Sequence, residues 1–417
     1  MVGSMSPKFQ APRGTFDILP AEEAVRARIE RTARDLFSRA GYGRIETPAF
    51  EDTELFARSV GGSTDIVRKE MFTFEDHGGR SVTLRPEGTA AICRAYLEHG
   101  MHTLPQPVRL WHLGPFFRYE APQAGRFREF NQIGAEAIGS DSPLVDAEQI
   151  MLLDDLLREL EVPGTRLRVS SLGSIDARVA YREELREYLR AHESELAKEV
   201  GERIDANPLR AFDSDHESTR AVMADAPTML DRLEGEDAEH FAEVRRLLDQ
   251  AGVGYELDGT LVRGLDYYTR TVFEFACDRL GAQSGIGGGG RYDGLIEQLG
   301  GSPTPGSGWA VGVERIILAL GEPEAERSSD VFVAAADGQR ERALTIVTEL
   351  RRTGLRAELD LAGRGMKGQM KQADRVGARH AVILDKDGAA ALRDMRTGDQ
   401  REVDPSRVAE EIAAAGT

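Results

Sequence analysis

The run GPFFRYEAPQAGRFREFNQIGAE, residues 114 to 136, gathers arginines, carboxylates, an amide and aromatic rings into one short stretch. Two strand-like segments flank the loop PQAG, whose proline and glycine mark a turn. Alternate side chains of a strand share a face. Arg118 and Glu120 therefore sit together on the first segment, and Gln132 and Glu136 on the second. Ile133, Ala135 and Ala137 take the opposite face, as a core requires. The loop adds Arg126 and Arg128, followed by Phe130. Guanidinium forks beside an aromatic ring suit phosphates and a flat base together. An ordinary solvent-facing hairpin would show the same alternation, so the other polar runs must decide between the two.

Four such runs exist. In TLRPEGTA, residues 83 to 90, Glu87 precedes a helix start at which Gly88 permits an unusual backbone and Thr89 can cap. That carboxylate suits a substrate ammonium, although an acidic first turn is a common feature of helices. VRGLDYYTRTVFEF, residues 262 to 275, sets Arg263 and Asp266 beside Tyr267 and Tyr268, which points to a polar pocket. SGIGGGGRYDGL, residues 284 to 295, contains Gly285, Gly287 and Gly290 in dinucleotide-binding spacing, but without the βαβ setting that spacing needs. Its glycines, with RYDG directly after, suggest backbone that approaches a small ligand closely. GWAVGVERIILAL, residues 308 to 320, places Arg315 near the start of an apolar helix.

The elements that must position these groups follow from periodicity. Residues 21 to 40 and 144 to 160 read as amphipathic helices. SVTLR reads as a strand, followed by a break at Pro86 to Gly88 and a helix from Thr89. From about 176 to 255 the composition turns to helix formers and charges, which implies a helical insertion. Strand character returns at residues 270 to 277, a Gly/Pro/Ser-rich passage covers 281 to 308, and a helix is expected over 310 to 320. Gly321 to Ser329 reads as a linker. Beyond it, strands DVFVAAA, RAELDL and HAVILD alternate with helices over 338–353 and 366–377, so a small domain with a largely parallel sheet is expected.

Bulk properties narrow the classes. A chain of 417 residues has room for two or three cores. No apolar run approaches bilayer length, and the first eight residues read as a disordered leader rather than a secretory signal. Cys93 and Cys277 lie far apart and the histidines form no metal motif, so buried thiols in a reducing compartment, and no zinc, are expected. Net charge is −18, which by itself argues against nucleic acid. The portion from Asp330 onward is neutral, however, with fifteen basic and fifteen acidic residues. Within it Lys367, Lys371, Arg375 and Arg379 recur every four positions, a basic stripe if the segment is helical.

Taken together, FRYE at 117–120 with Arg126 and Phe130, RGLDYY, and GGGRYDGL resemble the histidyl-tRNA synthetases, a class II aminoacyl-tRNA synthetase family, over essentially the whole chain. The resemblance implies an α+β fold: an antiparallel class II sheet flanked by helices over residues 1–325, interrupted by the helical insertion. A C-terminal α/β anticodon-binding domain over 329–417 would follow. It implies ATP-dependent activation of histidine to histidyl-adenylate and transfer to the 3′ end of tRNA(His), with Mg²⁺ accompanying ATP. Residue by residue, Arg118 and Arg263 match catalytic arginines at the α-phosphate. Glu87, Gly88, Thr89, Arg118, Gln132, Glu136, Arg263, Tyr267 and Tyr268 match the histidine site, with Glu136 and Tyr268 on the imidazole. Arg118, Glu120, Arg126, Phe130 and Arg315 match the ATP site. Gln123, Lys367, Lys371, Arg375 and Arg379 are the implied tRNA contacts. A cytoplasmic homodimer is implied, with residues 40 to 60 near its interface. Two positions depart from the family pattern: Gly62 stands where many relatives carry an acid, and Asp215 ends NPLRAFDSD where a lysine is usual. A histidine-binding regulatory relative that charges no tRNA would lack the C-terminal domain and the ATP-binding arginines, which this chain retains.

Overall fold

A computed structural model describes residues 9–59, 66–205, 207–261, 265–281, 284–321 and 329–415. The expected leader, Gly62 and Arg263 lie outside the described residues. The chain divides into two compact units, one ending at Pro323 and the other beginning at Glu324.

In the larger unit an eight-stranded sheet runs in spatial order Gly43–Arg44, Val108–Phe117, Glu129–Ile138, Gly306–Gly312, Gly285–Arg291, Thr269–Cys277, Thr165–Ser171 and Glu256–Leu257. The inner strands all pair antiparallel, and only the two-residue edge strands pair parallel. Ile133 and Ala135 are fully buried against Ile29, Ala33 and Phe37 of the helix Pro20–Arg39 and against Ile150 and Leu153 of the helix Pro143–Glu159. That second helix starts where Ser142 accepts a hydrogen bond from the Leu144 N–H and Pro143 presets the first turn. One face of the sheet is thereby committed to the core, which leaves the other for chemistry.

Two stretches differ from expectation. The glycine-rich run is a central strand, Gly285–Arg291, not an open passage. A Cβ on Gly289 or Gly290 would press into the backbone of the neighbouring strands, so glycine is what lets three strands pack this closely. The helix expected over 310 to 320 begins only at Val313, because Gly306–Gly312 is the strand that pairs with Glu129–Ile138.

The insertion spans the helix Ile175–Ala191 through the helix Gly235–Ala251. It has its own apolar cluster, with Tyr181, Leu185, Leu189, Leu209 and Met223 at its centre. A separate three-stranded sheet, Phe50–Asp52, Ser81–Leu84 and Thr73–Glu75, turns Phe50 and Phe74 outward, both about half exposed.

The smaller unit holds a five-stranded sheet in the order Ala357–Leu359, Val331–Ala335, His380–Leu384, Ala390–Asp394 and Gln400–Val403. The first three strands are parallel, as the alternation implied. The last two form an antiparallel meander that the alternation did not reveal.

Candidate active site

The hairpin Val108–Phe117 and Glu129–Ile138 delivers its polar groups to one open cleft of about 640 Å³. Arg118, Glu120, Arg126, Phe130 and Gln132 line it, and Arg315 enters from the first turn of the helix Val313–Leu320. Arg118 is braced by donation from Nε to the Pro86 carbonyl at 2.8 Å, and its guanidinium lies 5.4 Å from the centre of the Phe130 ring. Glu120 faces both Arg126, at 3.3 Å, and Arg118, at 3.8 Å. Arg315 donates from Nε to the Gly285 carbonyl at 2.7 Å. Burial, then the nearby positive charge of Arg126, lowers its pKa. Guanidinium groups held this close repel one another, and an anionic ligand between them removes the repulsion. Arg168 of the Thr165–Ser171 strand and Arg210 of the insertion also reach the cleft. Arg168 is tied to Glu274 and Asp258, and Glu314 is tied to Arg26 at 3.0 Å.

A buried polar cluster follows along the strand Glu129–Ile138, from Gln132 at the cleft to Glu136. Glu87 accepts hydrogen bonds from the Thr89 and Ala90 N–H groups at 2.7 and 2.9 Å, capping the helix Thr89–Glu98, and the Tyr267 hydroxyl stands 3.5 Å away. A carboxylate accepts about four hydrogen bonds, so capping leaves Glu87 able to take one more donor. Burial raises its pKa, opposed by those backbone N–H groups and by Arg118. Glu136, only 1% exposed, accepts from the Thr89 hydroxyl through Oε1 and from the Tyr292 hydroxyl through Oε2, both at 2.6 Å. Burial pushes its pKa up to about 8, the two hydroxyls oppose that rise, and Glu87 adds to it. Gln132 shares the face of Glu136 along the strand, and its buried side-chain oxygen has no partner. Unsatisfied buried acceptors of this kind call for a donor supplied from outside.

The described ATP-site candidates of the larger unit thus meet at the cleft, and Glu87, Thr89, Glu136 and Tyr267 meet in the buried cluster. Gly88 contributes by lacking a side chain, since a Cβ there would crowd the buried His112 ring at 2.8 Å. Tyr268 is buried with its ring 4.8 Å from that of Tyr267. The hydroxyl that meets Glu136 belongs to Tyr292, which was not among the candidates, although the RYDG run contains it. Its neighbour Arg291 is fully buried and paired with Asp146 at 2.9 Å, and Asp146 also meets His240 at 2.7 Å. RYDG is therefore a structural anchor, with Arg291 buried against Asp146 and Tyr292 against Glu136. Gln123 sits at the loop tip, bonded through its backbone to Arg126.

In the smaller unit, Lys367, Lys371 and Arg375 are exposed on the helix Met366–Arg375. Arg379 lies beyond the helix end, past Gly377 at φ +62°, and lines a separate cavity with Arg356 and Arg396. The stripe is three residues long, not four. Among the described residues, no group of three or more His, Cys, Asp or Glu side chains could hold a metal ion, and no helix is long and apolar enough to cross a membrane.

A histidyl-tRNA synthetase family model matches residues 14–316, and an anticodon-binding domain model matches residues 321–415. The chain belongs to the histidyl-tRNA synthetase family. It is 47% identical over 403 residues to a histidine–tRNA ligase of Desulfitobacterium hafniense, which covers 94% of this chain and 95% of that protein. It is 50% identical over 411 residues to one of Nocardia farcinica, covering 95% of each. The crystal structure of apo histidyl-tRNA synthetase from S. aureus superposes with a TM-score of 0.81 at 36% identity, covering 97% of this chain and 99% of that one.

Proposed function

We propose that this histidyl-tRNA synthetase family member activates L-histidine with ATP and esterifies it to the 3′ end of tRNA(His). The observation that carries the reading is the adjacency of the two sites. An arginine-lined cleft able to take a triphosphate opens beside a buried polar cluster whose carboxylate, Glu136, is held by two hydroxyls. Neutral imidazole offers one donor and one acceptor, and Glu136 takes the donor while a phenol of the tyrosine cluster serves the acceptor. Glu87, Thr89 and Gln132 hold the α-amino end. Arg118 and Arg263 hold the α-phosphate and carboxylate. Arg126 and Arg315 hold the outer phosphates, and Glu120 and Phe130 hold the adenine.

In the first step an oxygen of the histidine carboxylate attacks the α-phosphorus, the bond to the bridging oxygen breaks, and pyrophosphate leaves. Negative charge grows on phosphate oxygens, where preplaced guanidinium groups stabilise it without reorganising. A hydroxyl of the terminal adenosine of tRNA then attacks the activated carbonyl and releases AMP. Mg²⁺ arrives with ATP as part of that substrate. An apolar amino acid would leave Glu136 and its hydroxyls without a partner, and selectivity of about 10⁴-fold follows from such unpaired groups.

The same reading gives the smaller unit anticodon contact, with Lys367, Lys371 and Arg375 toward RNA phosphates and Arg379 contributing from outside the helix. It makes the enzyme a cytoplasmic homodimer. The outward face of the small sheet supports this, since Phe50, Phe74, Val82 and Leu84 share one side by register. The test is ATP–pyrophosphate exchange with purified protein. Exchange that requires histidine supports the reading, and exchange that proceeds equally with another amino acid, or with none, refutes it.

A further inference from the structure

We propose that Arg178, on the helical insertion, is a positioning residue for histidine recognition: it holds the Asp266–Arg270 segment in the shape that presents Tyr267 and Tyr268 to the pocket. Arg178 lies in the first turn of the helix Ile175–Ala191, outside the pocket itself, and its Nη1 donates to the carbonyl of Tyr268. Asp266, two residues earlier, attracts the same guanidinium and offsets the lowering of its pKa by burial.

A second tie reaches the other end of the segment from both roots of the insertion. The Arg270 N–H donates to the Gly173 carbonyl, and the Leu172 N–H donates to the Arg270 carbonyl, each at 2.7 Å. Asp237, on the last helix of the insertion, accepts from Arg270 Nε at 3.1 Å and from the Ser174 N–H at 2.7 Å. Arg270 has φ +46°, a left-handed conformation that a non-glycine residue keeps only where its surroundings impose it. The tyrosines are therefore presented by a segment clamped at both ends by the insertion. Movement of the insertion is transmitted through this segment to amino-acid affinity.

This inference rests on the reading of Tyr267 and Tyr268 as the histidine side of the site, and the experiment separates the two. ATP–pyrophosphate exchange would be followed on the full-length enzyme for Arg178→Met, Arg178→Lys and Tyr268→Phe. Loss of a charge-assisted hydrogen bond that orders the pocket should raise the histidine KM roughly tenfold or more in Arg178→Met. The ATP KM should stay within about twofold, because the guanidinium groups of the cleft are untouched. Arg178→Lys, which keeps a charged donor, should recover part of the loss, a pattern that general destabilisation would not produce. Should Arg178→Met fail to fold, Arg178→Lys alone decides: a rise confined to the histidine KM supports the clamp, and no rise overturns it. Unchanged histidine KM in Arg178→Met, or equal rises in both KM values, overturns the proposal. If Tyr268→Phe raises the histidine KM while Arg178→Met does not, the clamp fails and the pocket stands. If Tyr268→Phe has no effect, the pocket reading itself fails and the clamp with it.

Discussion

Replacing Glu136 by Gln should cost the enzyme its histidine affinity and make the empty protein more stable at alkaline pH. The carboxyl is raised from 4.5 to about 8, chiefly by burial, with the Thr89 and Tyr292 hydroxyls pulling the other way. Between those values the folded state keeps a proton that the unfolded chain has released. This contribution to stability is fully present below pH 4.5 and is lost as pH rises toward 8. The slope approaches about 1.4 kcal/mol per pH unit, so from pH 6 to pH 8 the wild type loses about 2 kcal/mol that the Gln variant, which does not titrate, keeps. For a unit of this size that difference corresponds to about 3 °C in Tm. The assay is thermal unfolding of both proteins at pH 6, 7 and 8 without ligand, following the transition of the larger unit. The gap between variant and wild type should widen with pH. Saturating histidine should flatten the wild-type dependence, because an imidazole N–H favours the ionised carboxylate. A gap that is constant or narrows with pH would refute the reasoning, since Glu136 would then not be a strained, proton-holding group in the empty pocket.

Other outcomes are expected of the same geometry. Arg315→Ala removes a guanidinium held against the Gly285 carbonyl in the cleft and should raise the ATP KM by about tenfold or more in pyrophosphate exchange, with a smaller effect on histidine. Gly308→Ala places a methyl group against the Glu136 carboxylate, so isothermal titration should show histidine binding weakened far more than ATP binding. Lys371→Glu, on the exposed face of its helix, should weaken tRNA binding and reduce the slope of log K against log salt by about one or more.

The active-site hairpin was legible in part: Gln132 and Glu136 follow the alternation of the strand Glu129–Ile138, whereas Arg118 and Glu120, expected on the first strand, fall just beyond its end at Phe117 and reach the cleft from the connecting loop. The glycine strand was not, because GIGGGG carries a single β-branched residue, Ile286, and otherwise only glycine, which is depleted in strands. The need for glycine there appears only once the flanking strands are in place, and with it went the role of Tyr292. The short basic stripe was readable in part: Gly377 stood in the segment as a stop signal, which a count of every fourth residue ignores. The meander after His380–Leu384 depends on turns at Asp385 to Gly388 and Asp394 to Gly398, both with glycine at positive φ, and its strands are too mixed in composition to announce themselves. Arg178 and Asp237 were beyond sequence reasoning, since their contacts bridge 90 and 33 residues.

The central claim is that arginines brought together from distant segments grip a nucleotide next to a pocket built for imidazole. A crystal of the enzyme soaked with histidine and ATP tests it most directly. The account predicts histidyl-adenylate with its phosphate in contact with the Arg118 guanidinium and an imidazole nitrogen within about 3 Å of Glu136. A nucleotide bound away from Arg118, Arg126 and Arg315, or an imidazole that leaves Glu136 untouched, would contradict it.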